Sequence, residues 1–194
     1  YAAKKIGRPV KWVGERSETF LSDDHARDNI SDVDLALDEN GKFLALRVRT
    51  LCNLGAYLTS DRTLLATFGN LGSLAGVYTT PNIHVRVHGM FTNTVATATY
   101  RGAGRPEASY LVEGIIDRAA AETGIDRIEL RRRNLIPADA MPYKTGLIFN
   151  YDSGEFENNM DDAMSLADCE GYETRRAQSE ANGKIRGLGI VNPI

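Results

Sequence analysis

Residues Tyr100, Arg101, Gly102, Ala103, Gly104, Arg105, Pro106 and Glu107 form the stretch best suited to binding chemistry. A strand-like run over 95–100 enters this glycine turn. The turn opens into a helix-patterned segment with Pro106 near its first position. Proline suits that place because its missing N–H would be unpaired there anyway. Gly102 and Gly104 allow positive φ and let a ligand approach the main chain closely. The N–H groups of a first helical turn are free and sit at the positive end of the helix dipole. With the guanidinium groups of Arg101 and Arg105, these features make an anion-binding corner.

The glycine pattern alone is not specific. No Gly-Lys-Ser/Thr follows, so it is not a P-loop, and Glu107 stands where a full dinucleotide fingerprint has its last glycine. The plain alternative is a tight strand-to-helix turn whose arginines face water. His84 and His88 are four apart, but Val85-Arg86-Val87 between them reads as strand. They are expected to be polar-face strand residues rather than metal ligands. Asp23, Asp24, His25, Arg27 and Asp28 form a dense polar cluster before a strand. A carboxylate–histidine pair there could do acid–base work, although a solvated loop explains it better. Asp161 and Asp162 are expected to face water, and Arg131, Arg132 and Arg133 to complement a helix C-terminus. No Ser/His/Asp or Cys/His arrangement can be placed, so catalytic residues stay unknown and no metal ligand is assigned.

The elements that must position the turn can be read from periodicity. Residues 8–12 read as a short strand. Residues 31–38 alternate, with Val33, Leu35 and Leu37 on one face, and Asn40-Gly41 signals a hairpin. On the returning strand Leu44, Leu46 and Val48 alternate with Ala45, Arg47 and Arg49, giving a half-buried antiparallel pair. Residues 53–77 read as loop with a short helix near 63–68. Residues 84–91 alternate again. The clearest helix covers 107–123, with Leu111, Val112, Ile115, Ile116, Ala119 and Ala120 as its apolar stripe and Gly124 as its stop. Asp126 with Glu129 resembles a capping box for a second helix through Arg133. Pro137 and Pro142 break the pattern. Residues 155–168 and 171–182 read as surface helices, and 185–191 as a final strand. The order implies an α+β or mixed α/β arrangement, with a possible sub-boundary near 124–150.

The 194 residues suffice for one substantial core or two small ones. A hydrophobic fraction of 42% and a charged fraction of 25% are ordinary for a globular protein, and a net charge of −3 argues against nucleic acid as partner. No apolar run approaches the roughly 18 residues needed to span a bilayer. Cys52 and Cys169 are far apart with no metal or redox spacing, which points to buried thiols and a cytoplasmic setting. A start without Met and an apolar run up to Ile194 suggest a piece of a longer polypeptide.

Several stretches in order carry a resemblance. They are Arg8-Pro9-Val10-Lys11-Trp12 with Glu15-Arg16-Ser17-Glu18, Asn53-Leu54-Gly55-Ala56-Tyr57, and the run from Tyr78 to Ile83. Then come Thr99-Tyr100-Arg101-Gly102-Ala103-Gly104-Arg105-Pro106-Glu107-Ala108, Gly124-Ile125-Asp126 and Glu129-Leu130-Arg131-Arg132-Arg133-Asn134-Leu135-Ile136. The last are Met141-Pro142-Tyr143, Tyr151-Asp152-Ser153-Gly154 and Arg186-Gly187-Leu188-Gly189. In this order the chain resembles the molybdenum-binding large subunit of the xanthine dehydrogenase and aldehyde oxidase family, nearest to the branch of bacterial aerobic carbon monoxide dehydrogenase large subunits. Each piece is weak alone; the combination is specific and covers essentially the whole chain.

The resemblance implies a molybdenum–molybdopterin cofactor, in its cytosine dinucleotide form, beside the turn. By motif, Tyr100 and Arg101 would meet it through backbone amides, with Gly102 permitting the approach. Ala103, Gly104 and Arg105 would border the substrate pocket. The implied reaction is hydroxylation of an aldehyde or N-heterocycle carbon with oxygen from water, electrons leaving to 2Fe–2S clusters and FAD. Those groups would sit on an iron–sulfur small subunit and an FAD-binding medium subunit, making a hetero-oligomer. Carbon monoxide oxidisers carry a cysteine in a Tyr-Arg-Cys-Ser-Phe-Arg pattern, absent here. An arginine typical of xanthine oxidisers aligns near Gly69, and Ala103 replaces an aromatic residue common in purine and aldehyde oxidisers. The family's Gly-Gly-Gly-Phe-Gly segment would precede Tyr1 and its catalytic glutamate would follow Ile194, so this stretch alone is expected to be inactive. Two alternatives remain from the residues themselves. One is a non-catalytic anion- or nucleotide-binding module using the Arg101 to Arg105 helix start. The other is a structural piece contacting partners through the acidic helices of 155–182.

Overall fold

The computed structural model describes residues 1–60 and 71–194. The expected helix near 63–68 and the position of Gly69 lie outside the described residues.

Two short helices lead the chain, α1 (Ala2–Ile6) and α2 (Arg16–Ser22). Helix α2 begins with a reciprocal capping box between Glu15 and Glu18, a signal the periodicity reading passed over. Residues 8–12 do not form a strand. No described strand pairs with them, and an unpaired run cannot close a ladder.

Strands β1 (Asn29–Leu37) and β2 (Phe43–Gly55) form the expected antiparallel hairpin, with Gly41 at φ 77° in its turn. Along β1 the expected face, Val33, Leu35 and Leu37, is half-buried over the core. A register shift between Ala36 and Leu37 corrects the start of β2. Phe43 is buried and Leu44 exposed, after which Leu46 and Val48 point inward as expected. Strand β3 (Ile83–Phe91) lies on the other side of β2 and runs parallel to it, giving the order β1-β2-β3.

Helix α3 (Arg105–Thr123) packs on β1 and on a 3-10 turn at Ser73–Ala75. Its stripe of Val112, Ile116, Ala119 and Ala120 is buried, and Gly124 ends it at φ 74°. Helix α4 (Arg127–Asn134) packs on α3. Asp126 caps it by accepting from the N–H of Ile128 at 2.9 Å and Glu129 at 3.0 Å. Glu129 does not return to the cap; it pairs with Arg133 at 2.8 Å, so only half the capping box forms.

Two short paired strands follow, β4 (Tyr143–Lys144) and β5 (Asn150–Tyr151), then helices α5 (Phe156–Leu166) and α6 (Tyr172–Ala181). Helix α5 inserts Met160 into the core. Residues 185–191 form no strand. Leu188 and Asn192 are held by side-chain bonds to Arg127 and Tyr78 instead of a ladder. The core runs from Phe43, Leu46 and Val48 through Leu74 and Tyr78 to Val112, Ile116 and Leu130. The mixed helix and strand content agrees with the expected α+β, mixed α/β class. No helix among the described residues is long and apolar enough to cross a membrane.

Candidate functional site: the arginine–glycine turn

Residues 95–100 are extended but are not a strand; only Thr97 makes a bridge, to His25. The segment is pinned on two sides. Ala96 accepts from the N–H of His25 at 2.9 Å, and Ala98 donates to the His25 carbonyl at 2.8 Å. On the other side Ala56 donates to the Thr94 carbonyl at 3.0 Å. Gly55 makes this approach possible, because a Cβ there would stand 2.2 Å from the Val95 oxygen. Asn53 ties the same region together. Its amide donates to Asp28 at 2.7 Å and to Thr94 at 2.9 Å, while its oxygen accepts from Thr92 and Gly55.

The turn that follows is conformationally unusual. Gly102, Ala103 and Gly104 have φ of 95°, 41° and 97°, three consecutive residues in a region that L side chains avoid. Strain of this kind in a non-glycine such as Ala103 is a marker of functional sites. A Cβ on Gly102 would lie 2.6 Å from the Pro106 ring. Ala103 donates to the Tyr100 carbonyl at 2.8 Å and Arg105 to the Gly102 carbonyl at 3.0 Å. The N–H groups of Arg101, Gly102 and Gly104 meet no acceptor among the described residues.

All six expected site residues are therefore in one short turn at the start of α3. Tyr100, Arg101 and Arg105 are exposed; Gly102, Ala103 and Gly104 are half-buried. Neither Arg101 nor Arg105 has an anionic partner among the described residues. The turn thus combines two exposed cations with three amides that have no partner among the described residues.

A third arginine, not foreseen as a site residue, lies behind the turn. Arg27 donates to the Arg101 carbonyl, pairs with Glu107 at 3.2 Å and stacks on the Tyr100 ring at 4.9 Å. Arg27 and Arg101 are 74 positions apart, and no local pattern links them. The polar cluster around Asp24 is thereby a clamp rather than an acid–base pair. Asp24 accepts from Thr59 and Asp28 from Asn53, and no carboxylate bonds to His25 among the described residues. The back of the turn is acidic. Burial pushes the Cys52 thiol up to about 11, and the charges of Asp28 and Glu107 add to the effect. A cavity of about 20 Å³ between these residues has room for one water, not a cofactor.

Other expectations resolve plainly. His84 and His88 lie on the exposed face of β3, and no group of three or more metal-ligating side chains occurs among the described residues. Asp161 is exposed but paired with Arg132, which also holds Glu157 at 2.7 Å. Arg131, Arg132 and Arg133 lie in the last turn of α4 as expected, but Arg131 does not face solvent. It is fully buried, bonded to Glu113 at 2.8 Å and Asp117 at 2.7 Å, because α4 turns that side against α3. Neither Cys52, which is buried, nor Cys169, which is partly so, is in a disulfide.

The family model for the molybdopterin cofactor-binding domain matches residues 1–135. The chain belongs to that family. Among relatives of this domain, subunit gamma of the 6-hydroxypseudooxynicotine dehydrogenase complex of Paenarthrobacter nicotinovorans is 32% identical over 98% of this chain and 24% of its own length. The carbon monoxide dehydrogenase large chain of Afipia carboxidovorans is 34% identical over 95% of this chain and 24% of its own. In three dimensions, quinoline 2-oxidoreductase from Pseudomonas putida 86 superposes with a TM-score of 0.85 at 30% identity. That match covers 94% of this chain and 23% of that one. The chain spans about a quarter of the length of these relatives. The molybdopterin domain residues fit an anionic, hydrogen-bonding cofactor. Three amides and two guanidiniums of the turn have no partner among the described residues, and a side chain on Gly102 would strike the Pro106 ring.

Proposed function

We propose that this chain is part of the molybdenum cofactor-binding subunit of an oxidoreductase that hydroxylates an aldehyde or N-heterocycle carbon with oxygen from water. The observation that carries the reading is the positive-φ run over 102–104, whose Gly102 and Gly104 amides have no acceptor among the described residues, lying inside a molybdopterin cofactor-binding domain match. Tyr100, Arg101 and Gly102 would hold the cofactor through main-chain N–H groups. Ala103, Gly104 and Arg105 would border the substrate. When bound, the molybdopterin group supplies the redox chemistry of hydroxylation. This chain's own contribution is placement and charge. The amides and the dipole of α3 favour an anion, Arg101 and Arg105 add positive potential, and the small Ala103 side chain leaves room for a ring. Relatives named for quinoline and nicotine support a nitrogen heterocycle as substrate, and the lack of a cysteine in the turn speaks against carbon monoxide.

The finer reading includes the cytosine dinucleotide form of the cofactor, 2Fe–2S clusters and FAD on separate subunits, a hetero-oligomer and a cytoplasmic setting. Relatives described as a complex subunit and as large chains support the assembly. The end of the family match at residue 135 supports a sub-boundary within 124–150. The test is the molybdenum and pterin content of the full-length polypeptide containing this segment. Stoichiometric loading that falls in Arg101→Ala and Gly102→Val supports the site. Full loading in both variants would overturn it.

A further inference from the structure

We propose that Arg27 is a positioning residue that sets the direction in which the Gly102 amide points; the proposal rests on the reading of the turn as the cofactor-binding edge. Three contacts of one guanidinium carry it. Arg27 donates to the Arg101 carbonyl, lies over the Tyr100 ring at 4.9 Å and pairs with Glu107 at 3.2 Å. Glu107 belongs to the first turn of α3, so the contacts form a bridge from that helix, through Arg27, to the peptide joining Arg101 and Gly102.

That peptide is trans and planar, so its C=O and N–H point in opposite directions. Anchoring the Arg101 oxygen on Arg27 turns the Gly102 N–H away from Arg27, toward the side without an acceptor. The bonds from Ala103 to Tyr100 and from Arg105 to Gly102 brace the turn on either side, but Arg27 makes the only hydrogen bond to this peptide itself among the described residues. Gly102 at φ 95° tolerates several backbone states, and the Arg101 N–H is also unpaired. The bridge therefore selects one orientation of a peptide that could otherwise flip.

Arg27 itself is held in strain. Its φ is 60°, a left-handed conformation for a side-chain-bearing residue. Such a state persists where the surroundings over-determine it, and here they are the contacts to one turn. Its side chain is 33% exposed and Glu107 20% exposed, so the pair sits at the edge of the core, beside the turn it holds. Glu107 Oε2 has no donor among the described residues, so Arg27 is the only cation that the described residues offer this carboxylate.

The test uses the full-length protein with Arg27→Ala, Arg27→Lys and Gly102→Val. Alanine keeps the backbone strain of a side-chain-bearing residue, so Arg27→Ala removes the guanidinium and its stem without relieving the main chain. Molybdenum and pterin retained after dialysis are measured, together with thermal melting of cofactor-free preparations. The expected result for Arg27→Ala is about a tenfold loss of retention, the scale of one charge-assisted hydrogen bond. Cofactor-free melting should stay within about 3 °C of the parent. Arg27→Lys, which keeps the cation and a donor, should recover part of the retention. Full retention in Arg27→Ala with loss in Gly102→Val overturns the role of Arg27 and leaves the turn's assignment standing. Full retention in both overturns the assignment itself and this proposal with it. Loss of retention in Arg27→Ala with a lower cofactor-free melting point and no recovery in Arg27→Lys makes Arg27 merely structural and also overturns the proposal.

Discussion

Arg131 and Arg101 carry the same guanidinium in opposite settings. Arg131 on α4 is fully buried and donates to Glu113, to Asp117 and to the Arg127 carbonyl at 3.0 Å. Glu113 in turn accepts from Tyr78 at 2.8 Å, and Asn192 reaches the Tyr78 hydroxyl. Every partner of this cluster lies within the chain, so its energy is spent holding α3, α4 and the 78 region together. Arg101 and Arg105 at the start of α3 have no such partners among the described residues and face outward. An arginine paired internally is architecture; an arginine left unpaired beside free amides has its binding capacity unspent. Arg27 stands between the two, since its contacts are internal but converge on the binding turn.

The sharpest way to break this contrast is to remove each cation in turn. Arg131→Ala should destabilise the fold by about 3–5 kcal/mol, because Glu113 would remain buried without its counter-charge. Arg132→Ala, one residue later, should cost under about 1 kcal/mol, since its partners Glu157 and Asp161 lie at the surface. Urea denaturation of the two variants measures both. Equal costs would show that burial does not separate the two arginines.

Alkaline pH probes the buried side as well. Burial pushes Cys52 up to about 11 and raises Tyr78 far above the usual tyrosine range, with the Glu113 charge adding to the latter. The unfolded chain releases these protons earlier than the folded one. Stability is therefore whole below the ordinary thiol value of 9.0 and falls as pH rises toward about 11. From Cys52 alone the loss should be about 2–3 kcal/mol by pH 11. Cys52→Ser should flatten that part of a stability–pH profile. An unchanged slope would remove Cys52 as the cause.

What could be read beforehand follows the range of the interaction. The Asn40-Gly41 hairpin, the stripe and glycine stop of α3 and the Asp126 cap are signalled within a few residues, and all formed. The turn over 100–105 was legible for the same reason. The parallel pairing of β3 with β2, the burial of Arg131 and the reach of Arg27 to Arg101 are long-range, and no local pattern encodes them. Residues 8–12 and 185–191 show the converse error. Their composition favours strands, but a strand needs a partner, and none is present among the described residues. Leu44 misled by one position because the register shift near Leu37 exchanged it with Phe43.

Within the binding turn the effects should divide between stability and loading. Gly102→Ala places a Cβ 2.6 Å from the Pro106 ring at a φ of 95°. It should cost about 1–2 kcal/mol in stability and lower pterin retention as well. A stable, fully loaded Gly102→Ala protein would mean that the turn relaxes without consequence.

Arg101→Ala should have the smallest effect on the fold and is the most discriminating variant. Its side chain is exposed and makes no ion pair among the described residues, so stability should change by less than about 0.5 kcal/mol. Its main chain stays, so the carbonyl held by Arg27 and the unpaired amide both remain. Only the outward cation is lost. Retention of an anionic cofactor should then fall modestly and become less dependent on salt, because one screened attraction has been removed. If retention falls but its salt dependence is unchanged, the guanidinium acts through shape or stacking rather than charge. The contrast with Arg131 would then rest on burial alone.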